Sequence, residues 1–312
     1  MNYYIVCPAK IQSGGPELAH QMCCELNKLG KNAYMYYAES NRLEPVDVDA
    51  PQKYLKYKTT HVTDIREVEN GDNIVIVPEA ATAWISGIKN CKKALWWMSV
   101  DNYIHNTKEK DLPQIREYVD IHLVQSKYAY EYVKNTVGVS EDKIMYVSDY
   151  IGEKYLLDIP EVKRMDIALY NPKKGLERIK PVIENTSDFL KWIPLINLSE
   201  EDMIAYMHIS KIYVDFGNHP GKDRIPREAA ACGCCVVTNR RGSAAYHEDV
   251  SIPDKYKIDD ERNIIMISDV LYKICTDYNN VHKDFNDYRE KIFNEKEKFC
   301  IEIEAFTKKI EK

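Results

Sequence analysis

The feature that most constrains this sequence is a regular alternation between short apolar runs and longer segments with helical periodicity. In the first half, runs that predict β-strands cover residues 3–7, 32–37, 73–77, 94–98, 121–125 and 144–147. Helical patterns fall between several of them, notably over residues 16–29 and 128–137. Apolar strands separated by amphipathic helices are typical of a parallel sheet covered by helices on both faces. The first half therefore predicts an α/β domain.

The same alternation starts again after residue 164. Strands are predicted over residues 166–170, 189–193, 211–216 and 234–238, and helices over 176–183, 200–209 and 226–232. The intervening segment, 149–164, is charged, contains Pro160 and has no clear period. The sequence thus predicts two tandem Rossmann-like domains of the α/β class, with a ligand in the cleft where they face each other.

The C-terminal segment, 284–312, carries one apolar stripe. Its members recur at steps of three, four and seven residues: Phe285, Tyr288, Ile292, Phe299, Ile303, Phe306 and Ile310. This spacing predicts an amphipathic helix. Such a helix either packs back on the body or forms a coiled-coil seam. Packing back is favoured, because three heptads with a polar break near Lys296 are few for a coiled coil.

Composition narrows the class of protein. A net charge of −6 argues against nucleic acid as the main partner. No run approaches the ~18 uncharged apolar residues of a membrane span, and the start does not resemble a signal peptide. The nine cysteines form no disulfide-like pattern, which favours a reducing compartment. We therefore expect a cytoplasmic protein, with peripheral membrane contact through a local basic patch left open.

No metal site is predicted. Cys232, Cys234 and Cys235 lie close together, but their spacing does not fit a tetrahedral zinc site and no matching pair lies nearby. Buried cysteines that act as small apolar residues are the better interpretation.

The most informative stretch runs from residue 215 to residue 238 as strand, glycine-bearing loop, short helix and strand. Lys222 and Arg224 precede the predicted helix, at the positive end of its dipole, where cations are unfavourable unless an anion lies between. A phosphate or diphosphate resolves this conflict. Glu228 in the first turn either complements the dipole or binds a ribose diol, and its spacing leaves both open.

Two further turns follow predicted strands at the edge where open sheets bind ligands. Lys173 and Lys174 are either solvated surface charges or phosphate ligands. Gly14 and Gly15 permit close approach of the backbone to a ligand. Neither the dinucleotide fingerprint Gly-x-Gly-x-x-Gly nor a Walker motif is present, which weakens the case for a dehydrogenase or an ATPase.

Asp101 lies in the polar loop that follows the apolar run 94–98. A carboxylate at this edge can act as a base toward an acceptor hydroxyl. It can equally cap the following turn, and the sequence does not decide between these roles.

Together these segments resemble the GT-B fold glycosyltransferases, and are similar to the family-four enzymes of bacterial polysaccharide synthesis of the capsule and O-antigen type. Ser13-Gly14-Gly15 resembles the glycine loop of that family, and the segment 198–207 resembles the stretch before its donor site. Glu228-Ala-x-Ala-x-Gly233-x-x-Val-Val matches its Glu-Ala-x-x-x-Gly-x-Pro-Val-Val signature, with Cys235 in the place of proline. The resemblance covers most of the chain but depends on few residues.

The resemblance implies a transferase that moves a sugar from a nucleotide-sugar donor to a saccharide or lipid-linked acceptor, without metal or other cofactor. Residues 1–155 would form the acceptor domain and residues 156–283 the donor domain, with the helix 284–312 returning to the first. Glu228 would hold the ribose, Lys173 or Lys174 the diphosphate, and Gly14 and Gly15 would approach the phosphates. Lys173, Lys174, Lys222 and Arg224 would stabilise the charge that develops on the departing diphosphate.

One departure from the family pattern leaves the mechanism open. The family has a second glutamate eight positions before Glu228, where this chain has Pro220. Asp223 partly replaces that carboxylate, or the sugar is held differently. The sequence therefore leaves open whether the anomeric configuration of the sugar is retained. Asp101 acting as a base would suit inversion of that configuration. A non-catalytic GT-B subunit supporting an active partner and a nucleotide-sugar epimerase remain as alternatives, and oligomeric state is open.

Overall fold

A computed structural model describes residues 1–39 and 43–312 of the chain. These residues form two compact units. The first, here called the N-terminal unit, comprises Met1–Asp149 and Lys296–Lys312, and the second, the C-terminal unit, comprises Tyr150–Glu295. The predicted boundary after residue 155 therefore falls six residues beyond the point where the chain enters the C-terminal unit.

The N-terminal unit is built on one parallel sheet with the strand order β2-β1-β3-β4-β5-β6. Its strands are β1 (Asn2–Pro8), β2 (Asn32–Ala38), β3 (Ile74–Pro78), β4 (Lys92–Trp97), β5 (Ile121–Val124) and β6 (Ile144–Tyr146). Its helices before residue 149 are α1 (Gly14–Lys28), α2 (Ile65–Val68), α3 (Val100–Thr107), α4 (Leu112–Tyr118) and α5 (Lys127–Tyr132). Strand β3 is buried along its whole length, as a parallel sheet with both faces covered requires.

The C-terminal unit is built on a second parallel sheet with the order β11-β10-β9-β7-β8. Its strands are β7 (Met165–Tyr170), β8 (Lys191–Pro194), β9 (Ser210–Asp215), β10 (Cys235–Asn239) and β11 (Lys257–Ile258). Its helices are α6 (Leu176–Thr186), α7 (Glu200–Ile209), α8 (Arg224–Ala231), α9 (Ile264–Thr276), α10 (Tyr278–Val281) and α11 (Asn286–Phe293). The predicted α/β architecture with two parallel sheets is thus confirmed.

Both sheets have the same switch in strand order. The first strand of each unit lies between the second strand on one side and the third strand on the other. The connections that leave β1 and β3, and likewise β7 and β9, therefore diverge at the carboxyl ends of the strands. Open α/β sheets bind ligands in the crevice that this divergence leaves.

The C-terminal segment consists of two helices, because α11 ends at Phe293 and α12 (Glu295–Ile310) begins two residues later. All seven residues of its apolar stripe are buried. The first three, up to Ile292, belong to the core of the C-terminal unit. The stripe is therefore divided between the two units at this break, and α12 packs on the N-terminal unit.

Helix α12 is held on the N-terminal sheet by both apolar and polar contacts. The ring of Phe306 meets that of Tyr3 edge-on, with centroids 6.3 Å apart. The Tyr3 hydroxyl donates to Glu311 Oε1 at 2.6 Å, and Lys92 Nζ donates to the carbonyl oxygen of Ile310 at 2.6 Å. The last helix thus completes the cover of β1 and β4.

Several boundaries differ from the predicted ones. The predicted strand 189–193 begins two residues later, and the predicted helix 226–232 begins at Arg224, directly after Asp223 at its N-cap. Strand β11 was not predicted, because a strand of two residues is too short to show a period. Helix α9 was not predicted either. Nowhere along the described ranges does a helix combine the length and apolarity of a membrane span.

Replacing Phe306 by alanine tests the docking of α12. Phe306 is fully buried, so the substitution should lower the free energy of unfolding in urea by about 3–5 kcal/mol. The matched control is Ile301→Ala on the same helix, where the side chain is 59% exposed and a change below about 0.5 kcal/mol is expected. Equal effects of the two substitutions would contradict the docking described here.

Candidate functional site

The turn after β7 lies in direct contact with the turn after β9. Gly175 stands at the N-cap of α6 with φ +67°, a conformation that favours glycine. A Cβ atom at this position would lie 2.4 Å from the carbonyl oxygen of Phe216 and 2.9 Å from the nitrogen of Gly217. Only glycine therefore allows the two turns to approach this closely.

The close contact between the turns after β7 and β9 places the side chain of Lys174 beside the loop before α8. Its Nζ lies 2.8 Å from Oδ2 of Asp223. Lys173 is exposed, and its backbone N–H donates to Oδ1 of Asn171 at 3.0 Å, which closes the turn. Of the two candidate lysines, Lys174 is therefore the one that the fold directs into the crevice between β7 and β9.

Two buried groups continue this arrangement beneath Lys174. Oδ1 of Asp215, at the end of β9, accepts the N–H of Gly217 at 3.0 Å, and Oδ2 accepts the hydroxyl of Tyr213 at 2.9 Å. His219 is fully buried between two carboxylates, with Nε2 3.7 Å from Asp215 Oδ1 and Nδ1 3.2 Å from Asp223 Oδ2. We call Lys174, Asp215, His219 and Asp223 the charge cluster.

The electrostatics of the charge cluster favour a protonated histidine. Burial alone would lower the pKa of His219, but the contact with Asp223 and the negative charges of both carboxylates outweigh it and raise the pKa. Burial alone would raise the pKa of Asp223, but the contacts with His219 and Lys174 lower it. The cluster is therefore an imidazolium and an ammonium facing two carboxylates.

Three members of the charge cluster, Asp215, His219 and Asp223, are grouped as metal ligands would be, since their donor atoms lie within 4.8 Å of one another. Lys174 already places a cation at Asp223. The carboxylates and this ammonium together carry one negative charge. A proton on His219 brings the buried cluster to neutrality, whereas a divalent ion would leave it positive, and burying net charge is costly. We therefore interpret the cluster as an ion network.

The cysteines identified in the sequence lie within the core. Cys232, Cys234 and Cys235 are fully buried. Burial raises the pKa of Cys232 and of Cys234 to about 12, which disfavours the thiolate form that binds metals. Their interpretation as small apolar residues agrees with this environment.

A second ion network holds the loop before α8. Lys222 Nζ lies 2.8 Å from Glu295 Oε1, and Nη1 of the fully buried Arg227 lies 2.7 Å from Oε2 of the same carboxylate. Arg227 also donates from Nη2 to the carbonyl oxygen of Lys222 at 3.0 Å and from Nε to that of Asp223 at 3.1 Å. The ammonium of Lys222 thus has a structural partner, and its role in donor binding stays a prediction.

The remaining donor-site candidates lie on α8. Arg224, expected just before the helix, is its first residue and is half-buried. Glu228 lies one turn further along and is 7% exposed. Both belong to the helix whose N-cap is Asp223, so they lie near the charge cluster in sequence. Their contacts with a donor stay predictions.

The glycine turn of the N-terminal unit is fixed by a tyrosine that the sequence did not identify. Gly14 and Gly15 open α1, and the preceding Ser13 is bonded at both backbone groups. The Tyr54 hydroxyl accepts the N–H of Ser13 at 2.9 Å and donates to its carbonyl oxygen at 3.0 Å. The connection between β2 and α2, which contains Tyr54, therefore reaches this turn; its residues 40–42 lie outside the described residues.

Asp101 lies in the first turn of α3, after β4, and its Oδ1 accepts the hydroxyl of Tyr128 at 2.7 Å. A second carboxyl group, Glu79, directly follows β3 at the same edge of the sheet. Glu79 is buried and accepts the N–H of Met98 at 3.1 Å. Burial raises the pKa of Glu79 to about 7, while backbone hydrogen bonds oppose the rise.

Sequence reasoning missed Glu79, Tyr54 and His219 as site residues. Glu79 carried the signal used for Asp101, an acidic residue directly after an apolar strand. Tyr54 lies about forty residues from the turn it binds, so no local pattern connects the two. His219 stood in the stretch 215–238 without a role, because only the fold shows that two carboxylates flank it.

The steric requirement for glycine after β7 is tested by Gly175→Ala. Gly138 has a similar φ of +75°, but no atom lies within 4 Å of an added Cβ, so Gly138→Ala is the matched control. The control should cost about 1–2 kcal/mol of unfolding free energy from backbone strain alone. Gly175→Ala should cost a further 1–3 kcal/mol or so, from overpacking against Phe216. Equal costs in urea unfolding would contradict the close approach of the two turns.

The buried carboxyl group of Glu79 predicts a pH dependence of stability. Its pKa is raised from 4.5 to about 7, so the native state binds this proton more tightly than the unfolded chain does. The free energy of unfolding of the wild type should therefore fall, relative to Glu79→Gln, by about 3 kcal/mol as the pH rises from 4.5 to 7.

Urea unfolding at a series of pH values measures this difference. Glu117→Gln, at an exposed position on α4, is the control and should follow the wild type throughout. Parallel curves for the wild type and Glu79→Gln would show that Glu79 titrates normally and would refute the prediction.

No protein-family model and no curated protein sequence matches the chain. Solved structures do match along its whole length. A glycosyltransferase from Rickettsia africae has 14% identity and a TM-score of 0.63, with 99% of this chain and 97% of that chain covered.

Two further structures extend the likeness. HepE from Anabaena, in complex with UDP-glucose, has 10% identity and a TM-score of 0.74, with 99% of both chains covered. Sucrose-phosphate synthase from Thermosynechococcus elongatus has 11% identity and a TM-score of 0.68, with 99% of this chain and 98% of that chain covered. At these identities the likeness concerns the fold, and it shows that the chain adopts the GT-B fold of glycosyltransferases.

Proposed function

We propose that the chain is a glycosyltransferase that moves a sugar from a nucleotide-diphosphate donor to a saccharide or lipid-linked saccharide acceptor in polysaccharide synthesis. One observation carries this proposal. The ammonium of Lys174 lies at the switch in strand order of the C-terminal sheet, beside the start of α8. That edge is where open α/β sheets bind nucleotides.

The structural neighbours support the same substrate class. One is a complex with UDP-glucose, and another is named as a lipopolysaccharide outer core galactosyltransferase, with 13% identity and a TM-score of 0.66. A UDP-bound glycosyltransferase of Staphylococcus aureus, TarM, matches over 81% of this chain. Carried over to this chain, their chemistry suggests a nucleotide-sugar donor and a saccharide acceptor.

In this proposal the C-terminal unit binds the donor. The diphosphate lies against Lys174 and the N-terminus of α8, where the dipole favours negative charge. Glu228 on α8 receives the ribose hydroxyls. When the glycosidic bond to the donor breaks, negative charge grows on the departing diphosphate. Lys174 and Arg224 stabilise that charge without the reorganisation that water would require.

The N-terminal unit binds the acceptor. Asp101 accepts the proton of the attacking hydroxyl, and the hydrogen bond from Tyr128 orients its carboxylate. Gly14 and Gly15 offer backbone N–H groups at the start of α1 for a phosphate, and Tyr54 keeps that turn in place. Metal independence is part of the proposal, since Lys174 and α8 supply the positive charge that a metal would otherwise provide.

One specific observation favours a second candidate function. Pro220 stands where related enzymes have a carboxylate, so a nucleotide-binding subunit that supports an active partner would also fit this chain. Turnover of a nucleotide sugar by the isolated protein excludes this alternative. An epimerase would change the donor sugar without any acceptor, which the same assay detects.

The donor site is tested by thermal unfolding in the presence of UDP, GDP, TDP and CMP. A nucleotide present at about 100 times its dissociation constant should stabilise the wild type by roughly 2.7 kcal/mol. Lys174→Ala should lose most of that stabilisation, because it removes the ammonium in the crevice. The control is Lys173→Ala, at an exposed position of the same turn, and it should keep most of the stabilisation.

Two outcomes would count against the donor site. Equal losses of stabilisation in the two lysine variants would mean that Lys174 contributes no more to nucleotide binding than Lys173 does. No stabilisation of the wild type by any nucleotide at millimolar concentration would contradict the proposed function itself.

A further inference from the structure

His219 is a fully buried member of the charge cluster to which the proposed function assigns no role. Its imidazole is fully buried, and among the described residues neither ring nitrogen makes a well-aligned hydrogen bond. Each nitrogen nevertheless faces a carboxylate oxygen, that of Asp223 at 3.2 Å and that of Asp215 at 3.7 Å. A buried ring placed between two carboxylates has an electrostatic role that packing alone does not explain.

We propose that His219 is a positioning residue for the donor diphosphate. His219 holds the carboxylate of Asp223 and thereby sets both the position of the Lys174 ammonium and how much of its positive charge is left uncompensated. This inference depends on the proposed function, because it concerns the same site. His219 is the part of the charge cluster that makes Lys174 available to an anion.

The contacts form a continuous path from the sheet to the lysine. Asp215 is fixed on β9 by the hydroxyl of Tyr213 and the N–H of Gly217. His219 lies against Asp215, and Asp223 lies between His219 and Lys174. Asp215 ends β9 and Asp223 caps α8, so the path runs from the sheet through the loop that contains His219 to Lys174 in the turn after β7. A change at His219 is therefore transmitted to Lys174.

The stem of Lys174 is held as closely as its head. A Cβ atom at Gly217 would lie 2.6 Å from the Cβ of Lys174, so the turn after β9 touches the lysine at its base. The base of the side chain thus touches Gly217 while its ammonium lies at Asp223. The net attraction of the ammonium for a diphosphate then depends on the charge of the groups behind it.

The charges that act on His219 are those of Asp215, Asp223 and Lys174. The phenol of Tyr213, bonded to Asp215, stays neutral because burial and that carboxylate hold its pKa well above the usual range. With an imidazolium the cluster is neutral. With a neutral imidazole it carries one negative charge, which repels a diphosphate and binds the ammonium of Lys174 more tightly.

The charge of the cluster determines how the affinity for an anionic donor changes with pH. The pKa of His219 is raised, so the imidazolium persists above the ordinary histidine range near pH 6.5. As the pH rises through the raised pKa, the cluster becomes negative and the affinity for an anionic donor falls. One unit charge within several ångströms of the diphosphate corresponds to a change of about tenfold.

The test is calorimetric titration at pH 6, 7, 8 and 9 with UDP-glucose, GDP-mannose and dTDP-glucose as probes. Nucleotide sugars are used because their substituted diphosphate keeps a constant charge over this range. For the probe that binds, the affinity of the wild type should fall by about tenfold as the pH rises through the raised pKa of His219. His219→Gln should bind weakly at pH 6 and show no pH dependence. His247→Gln, at an exposed position, should follow the wild type.

Each outcome separates this inference from the proposed function. No binding of any probe to the wild type would overturn the proposed function and this inference with it. Binding with the same pH profile in the wild type and His219→Gln would overturn the role of His219 alone. A gain in affinity with magnesium or manganese that His219→Gln abolishes would replace the positioning role with a metal site.

A second measurement applies even where His219→Gln fails to fold. In the wild type, the imidazole resonances of the eight histidines can be titrated by NMR with and without the bound probe. The proposal requires a buried ring that titrates above the ordinary range, and whose pKa rises further when the probe binds. If every histidine titrates in or below the ordinary range, the proposal is wrong.

Discussion

The close approach of the turns after β7 and β9 is the constraint on which the rest of the candidate site depends. Gly175 adopts a left-handed conformation directly against the backbone of Phe216, where any side chain would collide. This contact brings Lys174, from one strand connection, to Asp223, from the other. The switch in strand order opens the crevice, and the glycine decides which charged groups meet there.

In the proposed function, the charge cluster accounts for how the half-buried Lys174 can bind an anion. Two carboxylates facing one ammonium would leave a negative site that repels a diphosphate. The imidazolium of His219 restores neutrality, so the ammonium and the dipole of α8 determine the potential that a donor meets. A second network, in which Glu295 holds Lys222 and Arg227, fixes the same loop from its other side. The end of the loop before α8 is thus held by one network at Lys222 and by the other at Asp223.

The sequence predicted the two parallel sheets because apolar strand runs and helical periods are local signals. It also predicted Lys173 and Lys174 as a pair, but not which one enters the crevice, since that depends on the turn that Asn171 closes. The flanking of His219 by two carboxylates and the bond from Tyr54 to Ser13 depend on tertiary contacts. The polar break near Lys296 was visible in the sequence, but the sharing of the stripe between the two units depends on tertiary contacts as well.

The most direct test of the account is a crystal structure of the protein with the nucleoside diphosphate that binds it. We expect the diphosphate at the carboxyl edge of β7 and β9, with an oxygen within hydrogen-bond distance of Lys174 Nζ and the ribose near Glu228. A nucleotide bound elsewhere, for example at the amino edge of that sheet beside Arg164, with the pair of Lys174 and Asp223 undisturbed, would contradict it.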